Sequence, residues 1–211
     1  MRGYWVDQRP GGALKRAFDF TVAATALVAL APLFFAVAVA IKQDGGPVLF
    51  RHARIGHGGR AFSCLKFRTM AVDASNRLRA HLAANPVAAR EWRERRKLAD
   101  DPRVTRVGRF LRKTSLDELP QLVNVLLGQM SLVGPRPVTR GEIGQYGLDR
   151  VYYLSARPGV TGLWQVSGRS DLSYGVRVLF DRRYVREWSF VGDLKILAET
   201  LPAVMSARGA Y

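Results

Sequence analysis

The sequence predicts an α+β, mainly helical protein: one re-entrant membrane hairpin helix plus amphipathic interfacial helices around a small cytoplasmic core. Three observations carry this. Residues 20–41 form a run of about 22 residues with no charge and only Thr21 and Thr25 as hydroxyl groups, broken near its middle by Pro32. Residues 61–70 alternate apolar and polar side chains, as a short half-exposed strand does. Residues 72–98 and 176–205 read as amphipathic helices, the first strongly basic.

A chain of 211 residues holds one domain with a real core. Its 33 Lys and Arg against 17 Asp and Glu give a net charge of +16, which points to polyanionic partners: nucleic acid, anionic lipid or nucleotide substrates. Cys64 is the only cysteine, which excludes an internal disulfide and fits a reducing, cytoplasmic compartment. His52, His57 and His81 have no zinc spacing, and the glycines at 56, 58 and 59 lack the G-K-[ST] of a P-loop.

Taken in order, residues 1–14 are a flexible lead-in broken by Pro10-Gly11-Gly12. Residues 15–42 are the re-entrant membrane helix, and 43–211 the cytoplasmic, membrane-associated domain. The apolar run is long enough to cross a bilayer. Yet Arg2, Arg9, Lys15 and Arg16 precede it while Lys42, Arg51, Arg54 and Arg60 follow, so the positive-inside rule wants both ends in the cytoplasm. A helix bent at Ala31-Pro32 that enters and leaves the same leaflet satisfies both facts. A simple spanning helix and a buried soluble helix are the alternatives; a cleaved signal peptide is not expected, because the run is long for an h-region and is followed by charge.

Asp44-Gly45-Gly46-Pro47 is a turn, and residues 48–50 a short candidate strand. In the strand at 61–70, Lys66 and Arg68 share one face, suited to a solvated surface or to phosphate contact. The helix over 72–98 breaks near Asn85-Pro86, and from Arg77 to Lys113 there are 12 Lys and Arg against 4 acids. Trp92 beside Arg93, Arg95, Arg96 and Lys97 suits a helix lying on anionic membrane lipid or an ordinary exposed face. After Pro120 a helix over 123–130 places Leu119, Leu122, Val123, Leu126 and Leu127 in the core. Residues 157–169 pack three glycines and a proline between Arg157 and Arg169. Glycine there admits a ligand close to the backbone, and Arg169 a phosphate; a plain loop is the alternative. The tail helix bends at Trp188 and Phe190.

The chemistry centres on Ser115-Leu116-Asp117-Glu118-Leu119-Pro120-Gln121, followed by Gly134-Pro135-Arg136-Pro137. Ser115 with Glu118 three residues later matches a capping box. Pro120 opposes a regular first turn, which leaves the two acids at an irregular helix start. Arg106, Arg109, Arg112, Lys113 and Arg136 surround them in sequence. Such a cluster is either a solvated basic face or a polyphosphate clamp, and a carboxylate kept ionised among cations can attack phosphorus.

The apolar hairpin with its proline, Lys66-Phe67-Arg68-Thr69-Met70, the Asp117-Glu118 motif, Gly134-Pro135-Arg136-Pro137 and the run from Arg157-Pro158-Gly159 to Gly168-Arg169 occur here in one order. Together they resemble the bacterial sugar transferase family, the monotopic polyprenyl-phosphate phosphoglycosyl transferases, over nearly the whole chain. The resemblance implies a minimal catalytic unit on the cytoplasmic face of the bacterial inner membrane. It implies that Asp117 attacks a UDP-sugar, releases UMP, and holds the sugar phosphate until undecaprenyl phosphate takes it. Asp117 then also binds Mg²⁺, Glu118 serves the acceptor phosphate, and Lys66, Arg68, Arg112, Arg136 and Arg169 bind substrate. Asn85-Pro86, Glu91-Trp92 and Lys97-Leu98 resemble members acting on galactose or glucose 1-phosphate. Ala31-Pro32 departs from the Ser-Pro of many members and loses a hydroxyl that can bond freed backbone groups. The oligomeric state is open, with a homodimer among the alternatives.

Two rival readings differ in class. A membrane-tethered polyanion-binding protein follows from the charge alone, but no nucleic-acid motif is present, so nucleic acid is not an expected partner. A non-catalytic membrane scaffold has no need of two acids set among arginines.

Overall fold

The computed structural model describes residues 10–168 and 173–205. The chain is mainly helical with two small sheets. Helix α1 (Gly12–Ala29) and helix α2 (Ala31–Lys42) meet at Leu30 with a bend of 62°. Pro32 sits in the first turn of α2, where a missing N–H costs no hydrogen bond, so the proline starts a helix rather than breaking one. Among the described residues no single helix is long and apolar enough to cross a membrane; this bent pair is, taken together.

The first turns of α1 belong to the protein core. Lys15 and Asp19, four residues apart, are buried. Lys15 Nζ donates to Asp193 Oδ2 at 2.6 Å, and Asp19 accepts from Ser131 Oγ at 2.7 Å and from the Leu132 amide at 3.2 Å. Arg16 donates to the carbonyls of Val125 and Leu126 at 2.5 and 2.8 Å, capping a helix C-terminus. Helix α1 therefore starts at Gly12, earlier than the lead-in boundary suggested, and is fixed by charges that hydropathy alone does not pair.

Strands β1 (Leu49–Ile55) and β2 (Ala61–Phe67) form an antiparallel hairpin with Phe50 opposite Lys66. Helices α3 (Ala74–Ala84) and α4 (Pro86–Arg95) follow, separated as expected at Asn85, whose side chain accepts from the Val87 and Ala88 amides. Helix α5 (Arg106–Lys113) lies against the residues just after β2. Gly108 makes this possible, since a Cβ there would stand 2.0 Å from the Thr69 carbonyl oxygen.

After α5 comes a 3-10 turn, Leu116–Glu118, then α6 (Gln121–Leu126). Helix α6 is shorter than periodicity suggested: Leu122 and Val125 are in the core, whereas Leu127 lies beyond the helix and is 64% exposed. Asn124, buried on α6, accepts from the Leu65 amide at 2.9 Å and donates to the Ser63 carbonyl at 2.8 Å. That side chain stitches α6 to β2 and sets the acidic turn beside Lys66.

Strand β3 (Ser131–Val133) pairs in parallel with β4 (Gly159–Thr161), after α7 (Arg150–Ser155). The glycines of the two motifs serve this junction: a Cβ on Gly159 would stand 2.1 Å from the Gly134 nitrogen. At Gly134, Gly159 and Gly162 the space a side chain would need is taken by another stretch of backbone. Helix α8 (Leu163–Val166), α9 (Tyr174–Arg186) and α10 (Phe190–Met205) close the fold, with the tail bend where expected. One core cluster joins Ala23, Cys64, Leu122, Val125, Met130 and Ile196; a second joins Val37, Ile41, Phe67 and Leu111, so α2 packs on β2 and α5.

Candidate active site

Asp117 and Glu118 lie in the 3-10 turn between α5 and α6. Ser115, which precedes it, has φ +56°, a left-handed conformation rare outside glycine and costing about 1–3 kcal/mol. Its side chain makes no capping hydrogen bond, so the capping box suggested by Ser115 and Glu118 does not form. The turn is instead an irregular helix entry that presents both acids to the end of β2.

Lys66 Nζ donates to Glu118 Oε1 at 2.6 Å and stands 3.7 Å from Asp117 Oδ2. Arg136, between buried prolines, places Nη2 3.7 Å from the same Glu118 oxygen. The Asp117 side chain is 13% exposed and that of Glu118 20%, so both sit in a shallow recess. No hydrogen bond to the Asp117 carboxyl is found among the described residues.

The two acids differ in ionisation. Burial pushes Asp117 above the usual carboxylate range, and the Glu118 charge adds to this, while Lys66, Arg112 and Arg136 oppose it. Burial also acts against ionised Glu118, but the charges of Lys66 and Arg136, with the Lys66 hydrogen bond, outweigh it and bring Glu118 down to about 2. Glu118 is a fixed anion tied to cations; Asp117 is a desolvated carboxylate that accepts no hydrogen bond among the described residues.

The other expected residues divide. Arg112 donates from Nε to Thr69 Oγ1 at 3.0 Å and bears on Asp117 by charge. Arg68 does not join the group. All five of its N–H donors are consumed by Asp44 and the carbonyls of Ile41, Pro47 and Met70, and Asp44 is drawn down to about 2 by those hydrogen bonds. The alternation that put Arg68 on the Lys66 face ends with β2 at Phe67. Arg106 and Arg109 face solvent, and Arg169 lies outside the described residues. Sequence reading missed Arg54, which donates to the Pro137 carbonyl at 3.3 Å and whose charge reaches Glu118; its alternation with His52 and Phe50 on β1 was the available signal.

The bacterial sugar transferase family model matches residues 11–207. The chain belongs to the bacterial sugar transferase family. It is 54% identical to the exopolysaccharide production protein ExoY of Sinorhizobium fredii over 202 residues, covering 95% of this chain and 89% of that one. It is 48% identical to the undecaprenyl-phosphate galactose phosphotransferase of Salmonella typhimurium over 97% of this chain and 43% of that longer one. With the UDP-glucose:undecaprenyl-phosphate glucose-1-phosphate transferase of Caulobacter vibrioides it shares 41% identity over 96% of this chain and 77% of the relative. The Asp117-Glu118 recess thus belongs to a member of a family of transferase enzymes.

Proposed function

We propose that this protein transfers hexose 1-phosphate, galactose or glucose, from a UDP-sugar to undecaprenyl phosphate and releases UMP. This is the first membrane step of exopolysaccharide or O-antigen synthesis, at the cytoplasmic face of the bacterial inner membrane. The observation that carries it is the contrast inside the acidic turn: Glu118 is engaged by Lys66 and Arg136 while Asp117, 3.7 Å from Lys66, keeps its lone pairs.

In the first step an Asp117 oxygen attacks the sugar-bearing β-phosphorus. The bond from that phosphorus to the bridging oxygen breaks, UMP leaves with the oxygen, and the sugar phosphate stays on Asp117 as an acyl phosphate. In the second, an oxygen of undecaprenyl phosphate attacks the same phosphorus and the bond to Asp117 breaks, restoring the carboxylate. Neither step needs a general base, which suits a Glu118 too weakly basic to take a proton at neutral pH. Glu118 instead holds Lys66 and Arg136 where phosphate oxygens arrive, and Arg112 adds charge beside Asp117.

Asp117 is also the fitting ligand for Mg²⁺, an ion commonly held by one or two carboxylates plus substrate phosphates. Among the described residues no cluster of three His, Cys, Asp or Glu offers a site made by the protein alone. Bound there, Mg²⁺ would neutralise the pyrophosphate and ease departure of UMP.

The anchor in this reading is the bent pair α1 and α2, set re-entrantly in the membrane. Val28 and Phe35 are 78% and 72% exposed along its apolar surface, and lipid is the medium that would cover them. The basic helices α3 and α4 would rest on anionic headgroups. The test is UMP release by protein in detergent or nanodiscs with UDP-galactose or UDP-glucose. Release dependent on undecaprenyl phosphate supports the reading, and its absence with both sugars refutes it.

A further inference from the structure

Behind Arg136 stands a second arginine that the reaction does not call on directly. Arg177, on α9, is 9% exposed, yet its hydrogen bond goes to a carbonyl rather than a carboxylate: Nη2 donates to the main-chain oxygen of Arg136 at 3.3 Å. Its guanidinium lies 5.0 Å from the Trp164 ring centroid and 5.2 Å from that of Tyr174. The guanidinium of Arg136 lies over the same Trp164 ring at 5.8 Å. Two arginines therefore share one indole, and the one nearer the acids is tethered through its backbone to the one behind it.

The clamp around Arg177 is itself held by ring contacts and hydrogen bonds. Tyr174 is held edge-on by Tyr146, with ring centroids 5.9 Å apart and planes at 89°, and its hydroxyl donates to the Glu142 carbonyl at 3.1 Å. Tyr146 in turn donates to buried Asp181 at 2.6 Å. The arrangement does not serve to satisfy the arginine, because Arg177 Nε and Trp164 Nε1 are buried with no hydrogen-bond partner among the described residues. A buried donor left unmade costs stability, so packing alone would favour an apolar side chain here.

We propose that Arg177 is a positioning residue: through the Arg136 carbonyl and the shared Trp164 ring, it fixes where the Arg136 charge stands against Glu118. The inference rests on the sugar-phosphate transfer reading, in which Arg136 meets the phosphates. Lysine at 177 keeps the charge but loses the planar fork and the stack.

A double-mutant cycle with Arg177→Lys and Arg136→Lys tests it, read as kcat and KM for transfer from the UDP-sugar to undecaprenyl phosphate, with thermal midpoints recorded alongside. Arg177→Lys should lower kcat/KM about 10- to 100-fold and Arg136→Lys at least as much. The double variant should stay within about threefold of Arg136→Lys alone, because the first loss acts through the second residue. Trp164→Leu, which removes the shared ring from a different helix, should be non-additive with Arg136→Lys in the same way and keeps the test open if Arg177→Lys fails to fold. Multiplicative losses, or a folded Arg177→Lys protein as active as wild type, would overturn the inference alone. A wild type that transfers nothing would overturn the transfer reading, and this inference with it.

Discussion

Two lysine–carboxylate clusters in this protein share a composition and differ in kind. At the start of α1, Lys15 sits among Asp19 and Asp193, and their oxygens are occupied. Asp193 accepts from Lys15, from the Tyr184 hydroxyl at 2.8 Å and from Trp188 Nε1 at 3.1 Å, while Asp19 accepts from Ser131 and the Leu132 amide. At the acidic turn, Lys66 sits between Asp117 and Glu118, but among the described residues only the Glu118 carboxyl accepts a hydrogen bond, and both side chains keep some exposure. Occupied oxygens make the first cluster a bolt between α1 and the core. In the second, the Asp117 carboxyl has no hydrogen bond among the described residues, and in the proposed reaction it is where phosphorus or a metal ion would be met. A lysine between two acids means nothing by itself; what fills the remaining lone pairs decides its use.

Breaking each cluster should separate the two. Asp117→Asn should lower turnover by about 10⁴-fold or more, as removing a nucleophile does, with the thermal midpoint unchanged or higher. Asp193→Ala should do the opposite. It leaves Lys15 with only the more distant Asp19, at 3.8 Å; at about 3–5 kcal/mol for a broken buried pair, the midpoint should drop by roughly 6–20 °C while the folded fraction stays active. Calorimetry beside an activity assay checks both.

Lys66→Met sharpens the contrast. Burial already raises Asp117, and Lys66 is the strongest charge opposing it. Its loss should raise Asp117 further, move the acidic limb of the kcat/KM profile to higher pH, and cost about 10–100-fold at neutral pH.

Asp181 supplies a stability counterpart outside both clusters. Burial lifts it from 3.8 to about 7, against the Tyr146 hydrogen bond and the charges of Arg177 and Arg136. Its folded form binds the proton more tightly than the unfolded chain, so its stabilising contribution is full below pH 3.8, declines above that and is gone once pH passes about 7. Asp181→Asn should flatten that part of the pH–stability curve measured by denaturant unfolding. The smallest effect belongs to Arg109→Ala: its guanidinium is exposed and 3.9 Å from Asp100, which is more exposed still, so activity should change less than about twofold.

Much of this was legible in the sequence, and the failures have common causes. Helix breaks next to Pro32, at Asn85 and around Trp188 follow from local chemistry, and the structure has α1 give way to α2 at Leu30, α3 to α4 at Asn85, and α9 to α10 between Arg186 and Phe190. Pro120 announced that Asp117 and Glu118 would stand in an irregular turn, as they do. Long-range pairing was not legible: Lys15 with Asp193 spans 178 residues, and no periodicity links them. Arg68 read as a partner of Lys66 because strand alternation was carried one residue past the end of β2, where Asp44 captures it. Arg177 carried no local signal, since it is one arginine among several on α9. Glycines at 134 and 159 signalled close approach without naming what approaches, and the answer is each other's backbone.

In the proposed mechanism Asp117 itself carries the sugar phosphate. Intact mass of the purified protein after incubation with UDP-galactose or UDP-glucose and Mg²⁺, without lipid acceptor, tests it most directly beside Asp117→Asn. The wild type should gain the mass of one hexose phosphate and the variant none. An adduct that persists in Asp117→Asn, or UMP release on adding undecaprenyl phosphate to a wild type that never gains the mass, would contradict it.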